Sequence, residues 1–311
     1  MRRLLWILGA VALLAAPSAL AASARERQTP GPLSTVAIAG TEVAYSDQYR
    51  AGCHEVRLWD VGLRGDRKVA SHCFVSTSTG SGVAGAIATG GRTLWLTYTG
   101  GNIREWSLWT KGRLSRARRI SFLTADVDGP APVVLGRVWE GSLPYAVGRT
   151  VIVLLPNGSR KFTVTAPARV VALSAHSRGY AAVLANGHVQ TISLEGRLLR
   201  DHSFEPDGVQ DAVLAGPGLL AKTRDGIEIR NGDSIRKTPL PRGSRFLGYT
   251  EGIVAYGLGS QLRLTRLANG RDTLYRTLAP RFQAQLGRRG LAYGSGRRLG
   301  FAAWALVAGS V

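Results

Sequence analysis

Two clusters of acidic residues in this sequence have a spacing that could bind a cation. Asp126-Val127-Asp128-Gly129 starts like a calcium loop, and Glu205-Pro206-Asp207-Gly208 is followed by Asp211. A complete calcium loop needs further oxygen ligands, including a late acid, and Asp-Gly is first of all a turn signal. We therefore predict turns and no bound metal or cofactor. The acidic candidates, expected on one rim of the fold, are Asp126, Asp128, Asp207 and Asp211.

No group of residues has the spacing of a catalytic site. The five histidines include no i, i+4 pair, and the sequence contains neither G-x-S-x-G nor C-x-x-C. Gly80–Gly85 matches G-x-G-x-x-G, but the residues that follow have the pattern of strands and turns, whereas a dinucleotide site needs a helix there. We assign no catalytic residue, and the sequence favours a protein that is not an enzyme.

The two cysteines, Cys53 and Cys73, flank a predicted hairpin that turns at about Gly62–Asp66. Strands that fold back there bring the two thiols together, so we predict a disulfide, which suits an exported protein. A loop of this length would gain about 3 kcal/mol from cross-linking. The alternatives are free thiols or a metal site completed by His54 and His72.

The chain is strongly basic, with a net charge of +20 and 35 arginines among its 40 basic residues. Such a charge attracts anionic surfaces over a range that salt shortens. One segment combines basic residues with Trp106 and Trp109 and is the local candidate for anion binding. Its basic residues are Lys111, Arg113, Arg116, Arg118 and Arg119. The alternative is an outer edge strand whose charges prevent aggregation.

The first 24 residues have the pattern of a secretory signal peptide. Arg2 and Arg3 precede the apolar run LLWILGAVALLAA, and Pro17 and small residues follow it. Ala19-Leu20-Ala21 satisfies the small-x-small cleavage rule. We therefore expect a secreted protein, extracellular or in the cell envelope or periplasm, and the alternative is an uncleaved membrane anchor.

A repeated strand pattern organises the rest of the chain. A hairpin of alternating apolar residues, clearest in VQTISLEGRLLRDHSF from Val189, recurs at intervals of about 40 residues, the length of one propeller blade. Two further short apolar runs precede each copy. The copies begin at Val56, Ile103, Val151, Val189, Ile227, Leu262 and Leu299.

This pattern predicts an all-β fold, a seven-bladed β-propeller, with six or eight blades as alternatives. Stacked four-stranded sheets shield one another from water, and closing the circle leaves only short edges. The last unit has only three strands. We expect residues 25–32 to form an N-terminal arm that can pair there and close the ring, although Pro30 and Pro32 limit its ladder. The propeller itself is assigned to residues 33–311.

The repeat resembles those of WD40-like and quinoprotein-like β-propellers. Val56-Arg57-Leu58-Trp59-Asp60-Val61 is similar to the end of the third strand of a WD40 repeat, while other copies have SLEG, LPNG or LANG at this point. The resemblance, of the exported bacterial type, implies a scaffold whose central channel and rim bind partners.

We therefore expect a secreted, non-catalytic, monomeric propeller that binds a protein or an acidic polymer in the cell envelope. Nucleic acid is not an expected partner, and contact with a membrane would require a retained leader. One alternative is a lyase or hydrolase, metal-dependent or not, with its site in the axial channel. The other is a protein that binds acidic polysaccharide or anionic surfaces through its arginines.

Overall fold

The chain folds into seven four-stranded β-sheets. The computed structural model describes residues 24–74, 80–205, 208–216 and 218–311. In these ranges six sheets contain four consecutive strands, and the seventh takes one strand from the N-terminal end. The all-β class and the count of seven are confirmed. The predicted leader, apart from Ala24, lies outside the described residues, and so does Asp207.

The strands are numbered in chain order, starting with β1 (Arg25–Gln28). Blade 1 has β2 (Leu33–Ala39), β3 (Glu42–Arg50), β4 (Cys53–Asp60) and β5 (Gly65–Cys73). Blade 2 has β6 (Gly82–Thr89), β7 (Arg92–Gly100), β8 (Ile103–Lys111) and β9 (Arg118–Asp126). Blade 3 has β10 (Val133–Leu135), β11 (Leu143–Val147), β12 (Thr150–Leu154) and β13 (Arg160–Thr165). Blade 4 has β14 (Val170–His176), β15 (Gly179–Leu184), β16 (His188–Ile192) and β17 (Leu198–Ser203).

The remaining blades follow the same order. Blade 5 has β18 (Val209–Ala215), β19 (Gly218–Thr223), β20 (Gly226–Asn231) and β21 (Ser234–Pro239). Blade 6 has β22 (Arg245–Thr250), β23 (Ile253–Leu258), β24 (Gln261–Arg266) and β25 (Asp272–Thr277). Blade 7 has β26 (Gln283–Gly287), β27 (Gly290–Ser295), β28 (Arg298–Ala303) and β1, and α1 (Trp304–Gly309) ends the chain. None of the helices in the described ranges has the length and apolar character to span a membrane.

The first strand of each blade is the innermost one, and these seven strands contact one another around the axis. The sheets are antiparallel meanders, so the turns after the first and third strands of every blade lie on the same side of the ring. We call this side the turn face. Residues that are far apart in the sequence therefore meet at the axis and on the turn face.

The core lies between the blades because each sheet packs against a neighbour on both faces. Between blades 1 and 2, Val56 and Leu58 meet Ala86 and the fully buried Trp95. Burying an aliphatic side chain of this size contributes about 1.5–3 kcal/mol. Both faces of a strand are consequently apolar, and polar residues concentrate on the fourth strands and in the turns.

The ring closes through β1, which pairs with β28 in antiparallel fashion from Arg25↔Phe301 to Gln28↔Arg298. Two ion pairs extend from this strand to the neighbouring blades. Glu26 pairs with Arg276 at 2.5 Å, and Arg27 pairs with Asp66 at 2.8 Å. Pro30 and Pro32 come after the strand. Because they lie outside the ladder of β1 and β28, their lack of a backbone N–H removes none of its hydrogen bonds.

The predicted disulfide is present in blade 1. Cys53 and Cys73 lie directly opposite each other on β4 and β5 and are bonded. The bond ties the end of the outermost strand to the sheet, next to the connection that leads into blade 2.

A hydrogen-bonded set of tyrosine, arginine and aspartate crosses the second, third and fourth strands of two blades. The tyrosine hydroxyl donates to the aspartate at 3.1 Å in blade 1 and 3.0 Å in blade 6. The arginine Nε donates to the same carboxylate at 3.1 Å and 2.9 Å. The sets are Tyr45, Arg57 and Asp66 in blade 1 and Tyr256, Arg263 and Asp272 in blade 6. They give buried polar groups their partners and hold the outer strands in register.

Blade 3 has the shortest innermost strand. Its innermost strand β10 ends at Leu135, opposite Tyr145, because the next residue of β11 is Pro144, which has no N–H to donate. Beyond that point the Gly136 N–H donates to the Pro144 carbonyl, and Arg137 pairs instead with β14 of blade 4. Residues 136–141 thus lie outside the regular ladder of blade 3, which they rejoin only at the antiparallel bridge of Trp139 with Ser142. We call them the axial segment.

Candidate functional site

The axial segment places Arg137 in the centre of the ring. Its backbone N–H donates to the Leu173 carbonyl at 3.0 Å, in blade 4. Its side chain forms an ion pair with Asp211 of blade 5 at 2.6 Å and donates to the Phe246 carbonyl of blade 6 at 3.1 Å. A residue of blade 3 that reaches blades 5 and 6 must cross the axis. Arg137 is therefore a brace across the inner strands.

The Asp211 carboxylate is the acidic end of this brace. Burial raises its pKa above the ordinary value, and the Arg137 guanidinium opposes that rise. The Asp211 side chain also accepts a bond from the backbone N–H of Ala212 at 2.8 Å. These contacts use the carboxylate for structure rather than for binding a ligand.

Next to the brace, on the turn face, the axial segment builds one wall of an aromatic cavity. The Trp139 ring stacks on His176 with ring centroids 3.9 Å apart, and His176 lies 5.6 Å from the Tyr249 ring. The Arg288 guanidinium lies 6.0 Å from the Trp139 centroid and forms an ion pair with Glu140. The cavity has a volume of about 640 Å³, and its lining comes from five blades, 3 to 7. We call it the axial cavity.

His176 forms part of its floor. The side chain is buried, and Nδ1 lies 3.0 Å from the Ser177 hydroxyl. Burial lowers the pKa of His176 to about 4, because the cavity hydrates an imidazolium poorly. The ring is therefore neutral near pH 7. The cavity is therefore lined at this point by a neutral aromatic ring and not by a positive charge.

The rim of the cavity is polar. Glu140 and Arg288 form an exposed pair, and Lys161 and Glu251 contribute one further charge of each sign. Leu194 is 36% exposed and adds apolar surface at the mouth. A concave site with an aromatic floor and a few polar groups at its rim suits an apolar or aromatic side chain brought by another molecule.

The acidic candidates that the structure describes, Asp126, Asp128 and Asp211, form no common metal-binding group. Asp126 ends β9 and Asp128 lies in the turn that follows, where Gly129 N–H donates to the Asp126 carbonyl. Both are exposed. Asp211, expected in a connection on the same rim, instead lies inside β18 and pairs with Arg137. Among the described residues no three histidine, cysteine or acidic side chains are placed to hold a metal ion together.

The two tryptophans of the basic segment pack between blades. Trp106 is buried between blades 2 and 3, and Trp109 stacks on Trp95 at 6.3 Å between blades 1 and 2. Neither ring therefore shares an outward face with the basic residues, since each face of β8 packs against another blade. Lys111 donates to the Val69 carbonyl at 2.8 Å. The exposed arginines of the segment are Arg113, Arg116, Arg118 and Arg119.

Sequence reasoning missed the axial cavity. Three of its four aromatic residues, Trp139, His176 and Tyr249, lie at or near the end of an innermost strand or its extension, and the fourth, Tyr180, lies on β15. One signal was available, because the end of the innermost strand is the same position in every unit and faces the same mouth. A comparison of that position across the seven units would have indicated that these side chains lie around one mouth.

Comparison with known proteins supports the fold. No protein family model and no curated relative matches the sequence. Among solved structures, a chain of the mitotic checkpoint complex is 13% identical with a TM-score of 0.58, over 97% of this chain and 99% of that one. The WD40 domain of Neurospora crassa Pan2 is 12% identical with a TM-score of 0.54, over 88% and 89%. Saccharomyces cerevisiae Sqt1 is 10% identical with a TM-score of 0.51, over 90% and 98%.

Proposed function

Because the chain has the fold of WD40-type β-propellers, we propose that it is a non-catalytic scaffold that binds a protein through the axial cavity. WD40-type propellers typically serve as protein-interaction scaffolds. The observation that carries the proposal is the cavity itself, an aromatic pocket of about 640 Å³ at the axis with charged groups around its mouth. The partner inserts an apolar side chain between Trp139 and Tyr249, and the rim charges orient the flanking segment.

We further propose that this binding takes place in the cell envelope or outside the cell. Two features of the sequence support this location, the leader-like pattern of the first 24 residues and the pair of cysteines. The bonded Cys53–Cys73 pair suits an oxidising compartment. Fractionation of producing cells, with an antibody against the chain, tests the location directly. Recovery of the chain in the cytoplasm alone, with the leader retained, would contradict it.

A matched pair of substitutions tests the site. Leu194→Arg places a long charged side chain at the mouth of the cavity, whereas Leu274→Arg makes the same change on β25, at a leucine that is 45% exposed and lies outside the cavity lining. Protein recovered from envelope extracts by the wild-type chain should be lost with Leu194→Arg and kept with Leu274→Arg. Equal recovery by both variants would contradict the proposed site.

A further inference from the structure

A second hollow on the turn face, between blades 2 and 3, is surrounded by arginines. It has a volume of about 360 Å³, and its lining includes Thr110, Tyr145 and Gly158. No aspartate or glutamate is found in the described lining. The four arginines are Arg92 at the start of β7, Arg118 and Arg119 at the start of β9, and Arg160 at the start of β13.

Arg92 is the fixed member of this set. Its guanidinium donates to the Pro156 carbonyl at 2.6 Å, to the Asn157 carbonyl at 2.9 Å and to the Thr110 hydroxyl at 3.2 Å. These acceptors are all neutral, so the positive charge is held in place without being compensated. A side chain at Gly158 would meet the Arg92 guanidinium at 2.7 Å, and glycine at that turn leaves room for it.

The other arginines are open to a ligand. Among the described residues, the side chains of Arg118 and Arg160 form no hydrogen bond or ion pair, and the Arg119 guanidinium lies 4.9 Å from the centroid of the Phe122 ring. The charge of Arg118 and the burial of Arg92 together lower the pKa of Arg92, with burial as the larger cause. Like charges this close repel one another unless an anion lies between them.

Tyr145 adds a neutral donor on the blade 3 side. It is buried, and burial raises the pKa of its hydroxyl while the charge of Arg160 opposes that rise. The hydroxyl therefore keeps its proton and lies within the field of Arg160. The two blades contribute different donors to one hollow, the guanidinium groups of β7 and β9 from one side and Arg160 with Tyr145 from the other.

We propose that this hollow binds a doubly charged oxyanion of phosphate size, held between Arg118 and Arg160 with Arg92 fixed behind it. Guanidinium groups form paired, charge-assisted hydrogen bonds with such anions. The volume of the hollow exceeds that of the anion alone, so an ester of the anion also fits. Only Arg118 and Arg119 of the five basic residues singled out in the sequence belong to the site, and Arg92 and Arg160 come from distant positions.

Titration calorimetry with inorganic phosphate at low ionic strength tests the proposal. Two double variants each remove two positive charges. The first combines Arg118→Gln with Arg160→Gln in the hollow, and the second combines Arg113→Gln with Arg116→Gln in the adjacent turn outside it. The wild-type chain should bind one phosphate saturably. The first variant should weaken binding about tenfold or more, whereas the second should stay within about twofold, since an exposed charge acts weakly through solvent.

Two controls complete the test. Thermal unfolding of both variants checks that each is folded, and Arg118→Lys with Arg160→Lys, which keeps the charge but not the paired geometry, should weaken binding without abolishing it. Titration with glycerol 1-phosphate distinguishes a phosphate ester from the free anion as the ligand. Tighter binding than to phosphate would identify an ester, and weaker binding would identify the free anion. The absence of saturable binding, or equal weakening by the two Gln variants, would overturn the site. Neither result depends on the function proposed for the axial cavity.

Discussion

At the scale of single residues, most titratable groups in or next to the axial cavity are uncharged or paired. His176 is neutral because it is buried, Asp211 is paired with Arg137, and Glu140 is paired with Arg288. What remains available on the floor is aromatic surface. This is why we assign the cavity to binding rather than to acid–base chemistry.

The neutral state of His176 predicts a loss of stability in acid. The unfolded chain takes up this proton near pH 6.5 and the folded chain only near pH 4, so falling pH favours unfolding between these values. From about pH 7.5 to about pH 5, the free energy of unfolding should fall by about 2 kcal/mol more in the wild type than in His176→Gln. Urea unfolding across this range measures the difference.

The difference between the pH profiles of wild type and His176→Gln cancels the contributions of the other titrating groups. Burial also lowers the pKa of His54 and of His72, and these groups act in the same direction as His176. Burial raises the pKa of Asp47 to about 6, so the folded chain holds that proton more tightly and this group acts in the opposite direction as the pH falls. All three are common to both proteins. An identical pH profile for wild type and variant would contradict the assignment.

The Arg137–Asp211 brace predicts strong coupling between two distant positions. Removing one partner leaves the charge of the other without compensation in a largely buried site. Arg137→Met or Asp211→Asn alone should therefore lower the free energy of unfolding by about 3 kcal/mol. The double variant should cost less than the sum, with a coupling of about 1–3 kcal/mol. A double-mutant cycle by urea unfolding checks this. Strict additivity would show that the pair does not act as a unit.

At the scale of elements, the axial segment depends on one glycine and one proline. Pro144 ends the ladder of β10, and Gly136 allows the chain to turn out of the sheet at close range. A side chain at Gly136 would lie 2.9 Å from Pro144 Cγ and 3.0 Å from Leu173 Cγ. The path of Arg137 and Trp139 toward the axis therefore follows from local backbone chemistry.

Gly136→Ala should accordingly destabilise the chain by about 1–3 kcal/mol through overpacking and should alter the near-ultraviolet signal of Trp139. Gly101→Ala is the control, because a side chain there meets nothing within 4 Å. Unfolding midpoints and near-ultraviolet circular dichroism of both variants give the comparison. If the two substitutions had equal effects, the close packing of the axial segment would not be what sets its path.

Strands could be predicted from the sequence better than the direction of their side chains. Each blade repeats the same short-range pattern, so strand positions, turns and the Cys53–Cys73 pairing follow from local rules. In a propeller, however, both faces of a sheet pack against other blades. Alternation places Trp106 and Trp109 on opposite faces of β8, but it does not reveal that blade 3 covers the first face and blade 1 the second.

At the scale of the whole molecule, closure of the ring brings distant residues together. The repeat length predicts the number of blades, since each blade is one supersecondary unit. The contact of Trp139 with His176 and the meeting of Arg92 with Arg160 depend on how neighbouring blades are placed, which no single unit encodes. For this reason the fold could be predicted from the sequence, whereas the contacts that shape the axial cavity could not.

Closure by β1 predicts that its removal weakens the ring and makes it self-associate. A chain lacking residues 1–28 exposes the edge of β28 and loses the Glu26–Arg276 and Arg27–Asp66 pairs. We expect a loss of about 3 kcal/mol or more in unfolding free energy and dimers formed by edge pairing. Light scattering and urea unfolding, against a chain lacking only residues 1–23, make the measurement. A monomer of unchanged stability would contradict the role of β1.

The central claim is that a protein partner enters the axial cavity. The most direct measurement is photocrosslinking in producing cells, with a benzophenone amino acid placed at Arg288 on the cavity rim or at Leu274 on the outer strand β25. We predict a discrete protein adduct from position 288 and none from position 274. Identical adducts from both positions, or an adduct from position 274 alone, would show that the partner binds elsewhere.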